Sequence, residues 1–250
     1  MTTNSKSGWS RESSIPTRME ETAGVRVPPR RSLAQRNITL RSRGSFRGTI
    51  INPLNNREVH YESVLERDAA YILLTDPRVV ALREQAGPVK FRDENGTERS
   101  HFFDFSVNLK DGSTHLIAVK YERDVAKSGI TDILSKVRQR LPRRAGQFVH
   151  LRTDRHITRV RAANARLVFA ANRDADPADV AIIVDAIRTF HGTMSAEALL
   201  MTAGLNTPKG FLALAHAFGL GLVKCTEDLP LTHSSRIRAV RPGPAVGGRQ

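Results

Sequence analysis

The sequence predicts an α/β protein: a core ordered helix, three antiparallel strands, helix, strand, followed by a small winged-helix-like domain. Three observations carry this. Apolar residues recur at helical spacing after Ser63 and again after Gly129, the turn dipeptides Asn95-Gly96 and Asp111-Gly112 divide a strand-rich stretch between them, and three capped helical segments precede a last strand-forming stretch.

Ser63 and Glu66 fit the Ser-x-x-Glu capping box, in which the two side chains satisfy the first amides of a helix. Leu65, Ala69, Ile72 and Leu73 then follow at three- and four-residue spacing and stop at Thr75-Asp76-Pro77, because proline disfavours helical geometry in the residue before it. Val89 to Arg92, His101 to Leu109 and Thr114 to Tyr121 read as three strands joined by tight hairpins. His115 to Val119 is apolar enough to be central. Ile130, Ile133, Leu134, Val137 and Leu141 mark an amphipathic helix whose polar positions include Lys136, Arg138 and Arg140, and Gln147 to Leu151 reads as the next strand.

Beyond it a short helix is expected over Asn164 to Ala171. Helices over Pro177 to Phe190, Ser195 to Ala203 and Pro208 to Val223 come next, then a two-stranded element within Leu229 to Val240. Three helices and a hairpin outline a winged helix. The chain therefore divides into a basic arm (1–44), an α/β domain (45–173), a winged-helix-like domain (174–241) and a tail (242–250), with order beginning near Ser45.

The charge points to the partner. Lys and Arg number 39 against 25 Asp and Glu, a formal charge of +14 with a pI near 10.9, which favours nucleic acid, here double-stranded DNA, over a neutral metabolite. Arg26, Arg30, Arg31, Arg36, Arg41 and Arg43 concentrate in the arm, which lacks apolar periodicity and reads either as a phosphate-binding strap or as a solvated tail. Arg143 and Arg144 read likewise as phosphate contacts or a solvated cluster. Cys225 is the single cysteine, so an internal disulfide and a Cys-rich zinc site are excluded and a reducing, cytoplasmic setting is expected. Met1 to Arg18 is polar, and Glu12, Glu20 and Glu21 argue against a transit peptide. The longest apolar run, Gly210 to Val223, contains His216 and falls short of the roughly 20 residues of a membrane span, so no membrane partner is expected. There is no His-Glu-x-x-His pair and no phosphate-binding Gly-x-x-x-x-Gly-Lys loop, which argues against a zinc hydrolase or an ATPase.

Phosphodiester hydrolysis needs a divalent cation held by carboxylates and a cation facing the developing charge. Glu66, Asp104 and Lys120 are the candidates. Asp104 stands among His101, Phe102, Phe103 and Phe105, where a carboxylate is costly unless paired or metal-bound. Lys120 ends the next strand, which the Asp111-Gly112 hairpin folds back beside it. Each residue has a plainer reading: Glu66 as the capping acid, Asp104 as the partner of a buried arginine, Lys120 as a strand-end lysine.

The strings Ser63-Val64-Leu65-Glu66, Leu82-Arg83-Glu84-Gln85, Phe103-Asp104-Phe105 and Ala118-Val119-Lys120 resemble, in order and approximate spacing, the TnsA-type transposon-end endonucleases, members of the restriction-endonuclease-like PD-(D/E)XK superfamily. The resemblance spans Ser45 to Asp154, and the family's helical C-terminal domain matches the outline after Asp174. It implies a restriction-endonuclease-like core, Glu66 and Asp104 as metal-binding acids, Lys120 as the catalytic lysine, and Mg²⁺ or Mn²⁺ as cofactor. It also implies cleavage of DNA at a transposon end beside a transposase subunit, with an ATPase regulator as a further partner.

One position departs from the pattern. The family places Glu or Gln two residues before the lysine, and Ala118 stands there. The donors left are Glu66, Asp104 and the backbone carbonyl of Val119, a set compatible with a mostly hydrated Mg²⁺. Glu62 lies outside the helix that Ser63 caps. The alternatives are a nuclease-fold DNA-binding or assembly subunit that has lost its chemistry, and a winged-helix transcription factor with an unusual sensor domain. The last helix carries Lys209 but few side chains for reading bases, so docking or structural support suits it equally.

Overall fold

The computed structural model describes residues 27–34, 46–141 and 146–241. Arg143, Arg144 and the arginines at 26, 36, 41 and 43 lie outside them, as does the tail. A hairpin that the sequence reading did not anticipate comes first: β1 (Gly48–Asn52) pairs antiparallel with β2 (Arg57–Tyr61), and Ile50 and Val59 turn inward. Part of the expected loose arm packs on it. Arg30 exchanges backbone hydrogen bonds with Asn56 and Glu58 at 2.8 and 2.9 Å, and the Arg57 guanidinium donates to the Arg31 carbonyl at 2.7 Å. Order therefore begins ahead of Ser45 in this stretch.

Helix α1 (Val64–Leu74) starts at the expected N-cap. Ser63 Oγ accepts the Glu66 N–H, and Leu65, Ala69, Ala70 and Leu74 form the buried stripe. Strand β3 (Val79–Arg92) is far longer than the expected Val89 to Arg92, because Arg83, Glu84 and Gln85 interrupt the apolar pattern although Glu84 and Gln85 are buried. Its register against β4 (Glu98–Leu109) shifts between Ala86 and Val89, next to Gln85 at a φ of +46°. Strand β5 (Thr114–Val119) pairs antiparallel with β4. Two helices follow instead of one. Helix α2 (Glu122–Ser128) and α3 (Ile130–Arg140) meet at Gly129, whose φ of +62° is the left-handed conformation that lets one helix end and another begin within a residue.

Strand β6 (Gln147–Arg152) then lies parallel to β5, giving a mixed sheet in the order β3-β4-β5-β6. Three antiparallel strands and a final strand appear in the expected order. The sheet has two apolar faces. Leu65 and Ala69 of α1 pack with Leu82, Phe105, Ile117 and Val119 on one; Leu134 and Val137 of α3 pack with Phe103, Ala118 and Val149 on the other. Fully burying each large aliphatic or aromatic side chain is worth about 1.5–3 kcal/mol.

The expected short helix near Asn164 is α4 (Arg159–Asp174), which has 16 residues. It touches both halves of the protein. Phe169 meets Tyr71 of α1 edge-on at 5.0 Å, and Arg166 reaches Asp68 at 2.7 Å. Leu167 and Ala171 enter a third core with Ile183, Leu199, Leu214 and Ile237. That core is built by α5 (Pro177–Thr189), β7 (Thr193–Ser195), α6 (Ala196–Thr202), α7 (Pro208–Gly219), β8 (Val223–Cys225) and β9 (Arg236–Ala239). The three strands form one antiparallel sheet in the order β7-β9-β8, so the expected two-stranded element gains β7, and its first strand precedes Leu229. Helix α7 stops short of Val223 because Gly221 adopts a φ of +74°. Gly219 is required for close approach: a Cβ there would lie 2.3 Å from Val168 Cγ1 of α4. Among the described residues no helix is long and apolar enough to cross a membrane.

Candidate active site

Asp104 meets the end of β5 at Val119, the residue before Lys120. The β4–β5 register runs from Asn108–Thr114 to Phe105–Ile117, so Asp104 is the first residue of β4 beyond it. With no facing carbonyl in register, the backbone of Val119 turns to a side chain: its N–H donates to Asp104 Oδ2 at 2.6 Å. Lys120 is the next residue, and its own N–H donates to the Arg152 carbonyl at 3.1 Å, so β6 fixes the strand end from the other side. The half-buried Asp104 thus holds the backbone that carries Lys120.

His101, three residues before Asp104, completes the neighbourhood. Its ring lies edge-on to Phe103 at 4.8 Å, and its Nε2 is buried without a hydrogen-bond partner among the described residues. Burial, helped by the nearby Lys120 charge, holds the imidazole below its ordinary pKa, so it is neutral at pH 7. Sequence reasoning treated His101 only as a neighbour of Asp104. The signal was its place in an alternating strand, but its proximity to Lys120 depends on strand pairing.

Glu66 is held locally. Its Oε2 accepts the Glu62 N–H at 2.8 Å, and its Oε1 accepts the Ser63 hydroxyl at 3.0 Å, while the Glu66 N–H returns to Ser63 Oγ at 3.1 Å. The Ser63 Oγ bond to the Glu66 N–H is the capping-box contact, whereas the carboxylate reaches past Ser63 to the Glu62 N–H, and both its oxygens are engaged. Glu62 lies before the helix and pairs with Arg47 at 3.3 Å.

Ala118 is 3% exposed and packs with Phe103, Leu134 and Val137. The position from which a further acid would act is therefore part of an apolar core. Glu84 is a fully buried carboxylate on β3; it accepts hydrogen bonds from the Ser32 hydroxyl and, at 3.5 Å, from the His60 N–H. Among the described residues no group of three or more His, Cys, Asp or Glu side chains is arranged to hold a metal ion. Asp104 and the Val119 backbone are joined by the 2.6 Å contact, whereas both Glu66 oxygens are engaged at the start of α1.

Comparison with protein-family models finds no match to the chain, and no curated protein matches it. The functional reading rests on the residues and their geometry.

Proposed function

We propose that this protein is a metal-dependent DNA endonuclease of the TnsA transposon-end type, with a restriction-endonuclease-like core followed by a winged-helix-like domain. The observation that carries the reading is the contact between the Asp104 carboxylate and the Val119 backbone, which brings the Phe-Asp-Phe and Ala-Val-Lys strings to one strand end. The order helix, three antiparallel strands, helices and parallel strand supports the core, and three helices with a three-stranded sheet support the second domain.

Asp104 and Glu66, with the Val119 carbonyl, would hold Mg²⁺ or Mn²⁺, which supplies charge neutralisation at the phosphate and an activated water. Asp104 contributes negative charge while fixing the strand. Glu66 would have to give up its bonds to Glu62 and Ser63 to join Asp104 and the Val119 carbonyl. Lys120 presents a cation to the phosphate oxygens, and neutral His101 adds no competing charge. The excess of basic residues supports double-stranded DNA as partner, and a transposase subunit and an ATPase regulator belong to the same proposal. Helix α7 packs between α4 and α5 with Ala213, Leu214, Ala215 and Ala217 buried, which favours docking or support over base reading for this helix.

The test is nicking of supercoiled plasmid by the purified full chain with Mg²⁺ or Mn²⁺, beside Asp104→Ala and a metal-free control. Metal-dependent nicking that disappears in the variant while DNA binding persists is expected; nicking that survives in Asp104→Ala overturns the assignment. A second reading, a nuclease fold serving as a DNA-binding or assembly subunit, is favoured by the apolar packing of Ala118. DNA binding without nicking, in the presence and absence of a transposase partner, selects it.

A further inference from the structure

Along β5 lies a cavity of about 290 Å³, just under the roughly 300–1,000 Å³ of ligand pockets. It runs from His115, near the start of the strand, to Arg152, which pairs with Val119 next to Lys120, and lies on the face of the sheet that carries Ile117. Its floor is apolar: Ile72, Val79, Val107, Ile117 and Ile157 line it. Arg78, Arg152 and Arg161 supply its charge. Asp76 also lines it but is held by Arg78 at 2.6 Å, which leaves the positive charge of Arg152 and Arg161 in excess. Arg152 makes one long contact, 3.4 Å to the Leu151 carbonyl, and Arg161 donates to the His156 carbonyl. An apolar floor where three guanidinium groups face one carboxylate suits a ligand with an apolar body and an anionic end.

One wall is a histidine pair whose protons are ordered by a chain of hydrogen bonds. The Ser113 hydroxyl donates to Asp111 Oδ1 at 2.6 Å. Its proton so committed, Ser113 Oγ accepts from His115 Nε2 at 2.9 Å, which makes His115 the Nε2–H tautomer. His115 Nδ1 is then an acceptor, and His150 Nε2–H donates to it at 2.8 Å. The nitrogen left over is His150 Nδ1, a lone pair on a residue that lines the cavity. Phe148 stacks on His115 at 5.0 Å, bracing the pair. Both rings are shifted toward the neutral form, His150 to about 4, first by burial, so the wall offers an acceptor and no charge of its own.

We propose that this cavity binds a small ring-bearing organic anion, its ring over the apolar floor, its carboxylate or phosphate on Arg152 and Arg161, and an N–H or O–H donated to His150 Nδ1. An aromatic acid and a pyrimidine nucleotide share that chemistry. Because Ile157 and Arg161 belong to the segment leading into and forming α4, and α4 contacts both halves of the protein, an occupant touches the sheet, α1 and α4 at once and stabilises their contact.

The experiment is thermal melting and calorimetric titration of the full chain with 4-hydroxybenzoate, benzoate, 5′-UMP, phenol and inorganic phosphate. 4-Hydroxybenzoate or 5′-UMP at millimolar concentration is expected to raise Tm by about 3 °C. Benzoate should bind more weakly than 4-hydroxybenzoate, since it lacks the donor, and phenol and phosphate should do least. A response to 4-hydroxybenzoate alone identifies an aromatic acid, a response to 5′-UMP alone a nucleotide. Arg152→Gln and, as a rim variant less exposed to folding defects, Arg161→Gln should each weaken binding by about tenfold. No response to either anion, an equal response to phosphate or phenol alone, or undiminished binding in both variants overturns the proposal.

Discussion

Asp104 accepts the backbone N–H of Val119 at 2.6 Å, so one carboxylate fixes the end of β5 at the residue before Lys120. Removing it does two things at once. Asp104→Ala leaves a part-buried N–H without that acceptor and is expected to cost about 1–3 kcal/mol in urea unfolding. Asp104→Asn keeps an acceptor oxygen and is expected to retain near wild-type stability while losing metal-dependent nicking. Equal stability of the two variants would mean that the contact contributes little.

Ser63 and Glu66 separate a structural role from a chemical one. Ser63→Ala removes the cap and is expected to lower stability by about 1 kcal/mol, with the nicking rate within twofold of wild type. Glu66→Gln retains a carbonyl to accept the Glu62 N–H but loses the charge, and should abolish nicking. Plasmid assays in which Glu66→Gln cuts normally would confine Glu66 to the capping box.

Ala118→Glu, which introduces the acid that the proposed nuclease pattern carries there, is not a neutral change. The position packs with Phe103, Leu134 and Val137, and a carboxylate forced into that cluster is expected to destabilise the fold by about 2–4 kcal/mol. A variant as stable as wild type would show that the side chain escapes to solvent; only then does its activity report on the missing ligand.

Ser32 donates to the buried Glu84 from a segment ahead of β1. Ser32→Ala withdraws a donor from a buried carboxylate and is expected to lower stability by about 1–3 kcal/mol, read as a fall in urea midpoint. An unchanged midpoint would mean that residues 27–34 add nothing to the stability of the sheet.

Acid should destabilise the protein through its histidines. His150 is held at about 4, by burial first and then by the Arg152 and His115 charges, and burial also lowers His115, against an ordinary value near 6.5. The folded value lies below the unfolded one, so the unfolded chain takes up the proton first. This contribution is fully present above about pH 6.5 and is lost as pH falls toward 4. Tm measured between pH 7.5 and 4.5 is expected to fall, and less steeply in His150→Phe; identical slopes would remove His150 from the account.

The sequence by itself determined what local chemistry determines. The capping box fixed the start of α1, Asp111-Gly112 fixed the β4–β5 hairpin, and Pro77 ended the helix, because each depends on residues within a few positions of one another. Asp104 and Val119 are brought together only through that hairpin. Tertiary structure alone decided the rest. Pairing across the sheet extended β3 through the polar run Arg83 to Gln85 and buried Glu84, where a hydroxyl 52 positions away compensates it. Packing on both faces of the sheet placed Ala118 in an apolar cluster, contact with α1 and α7 lengthened α4, and parallel pairing set His150 beside His115, 35 residues apart. Propensity and periodicity describe the chain within a few residues, whereas burial and partner choice depend on groups that only the folded chain brings within hydrogen-bond distance.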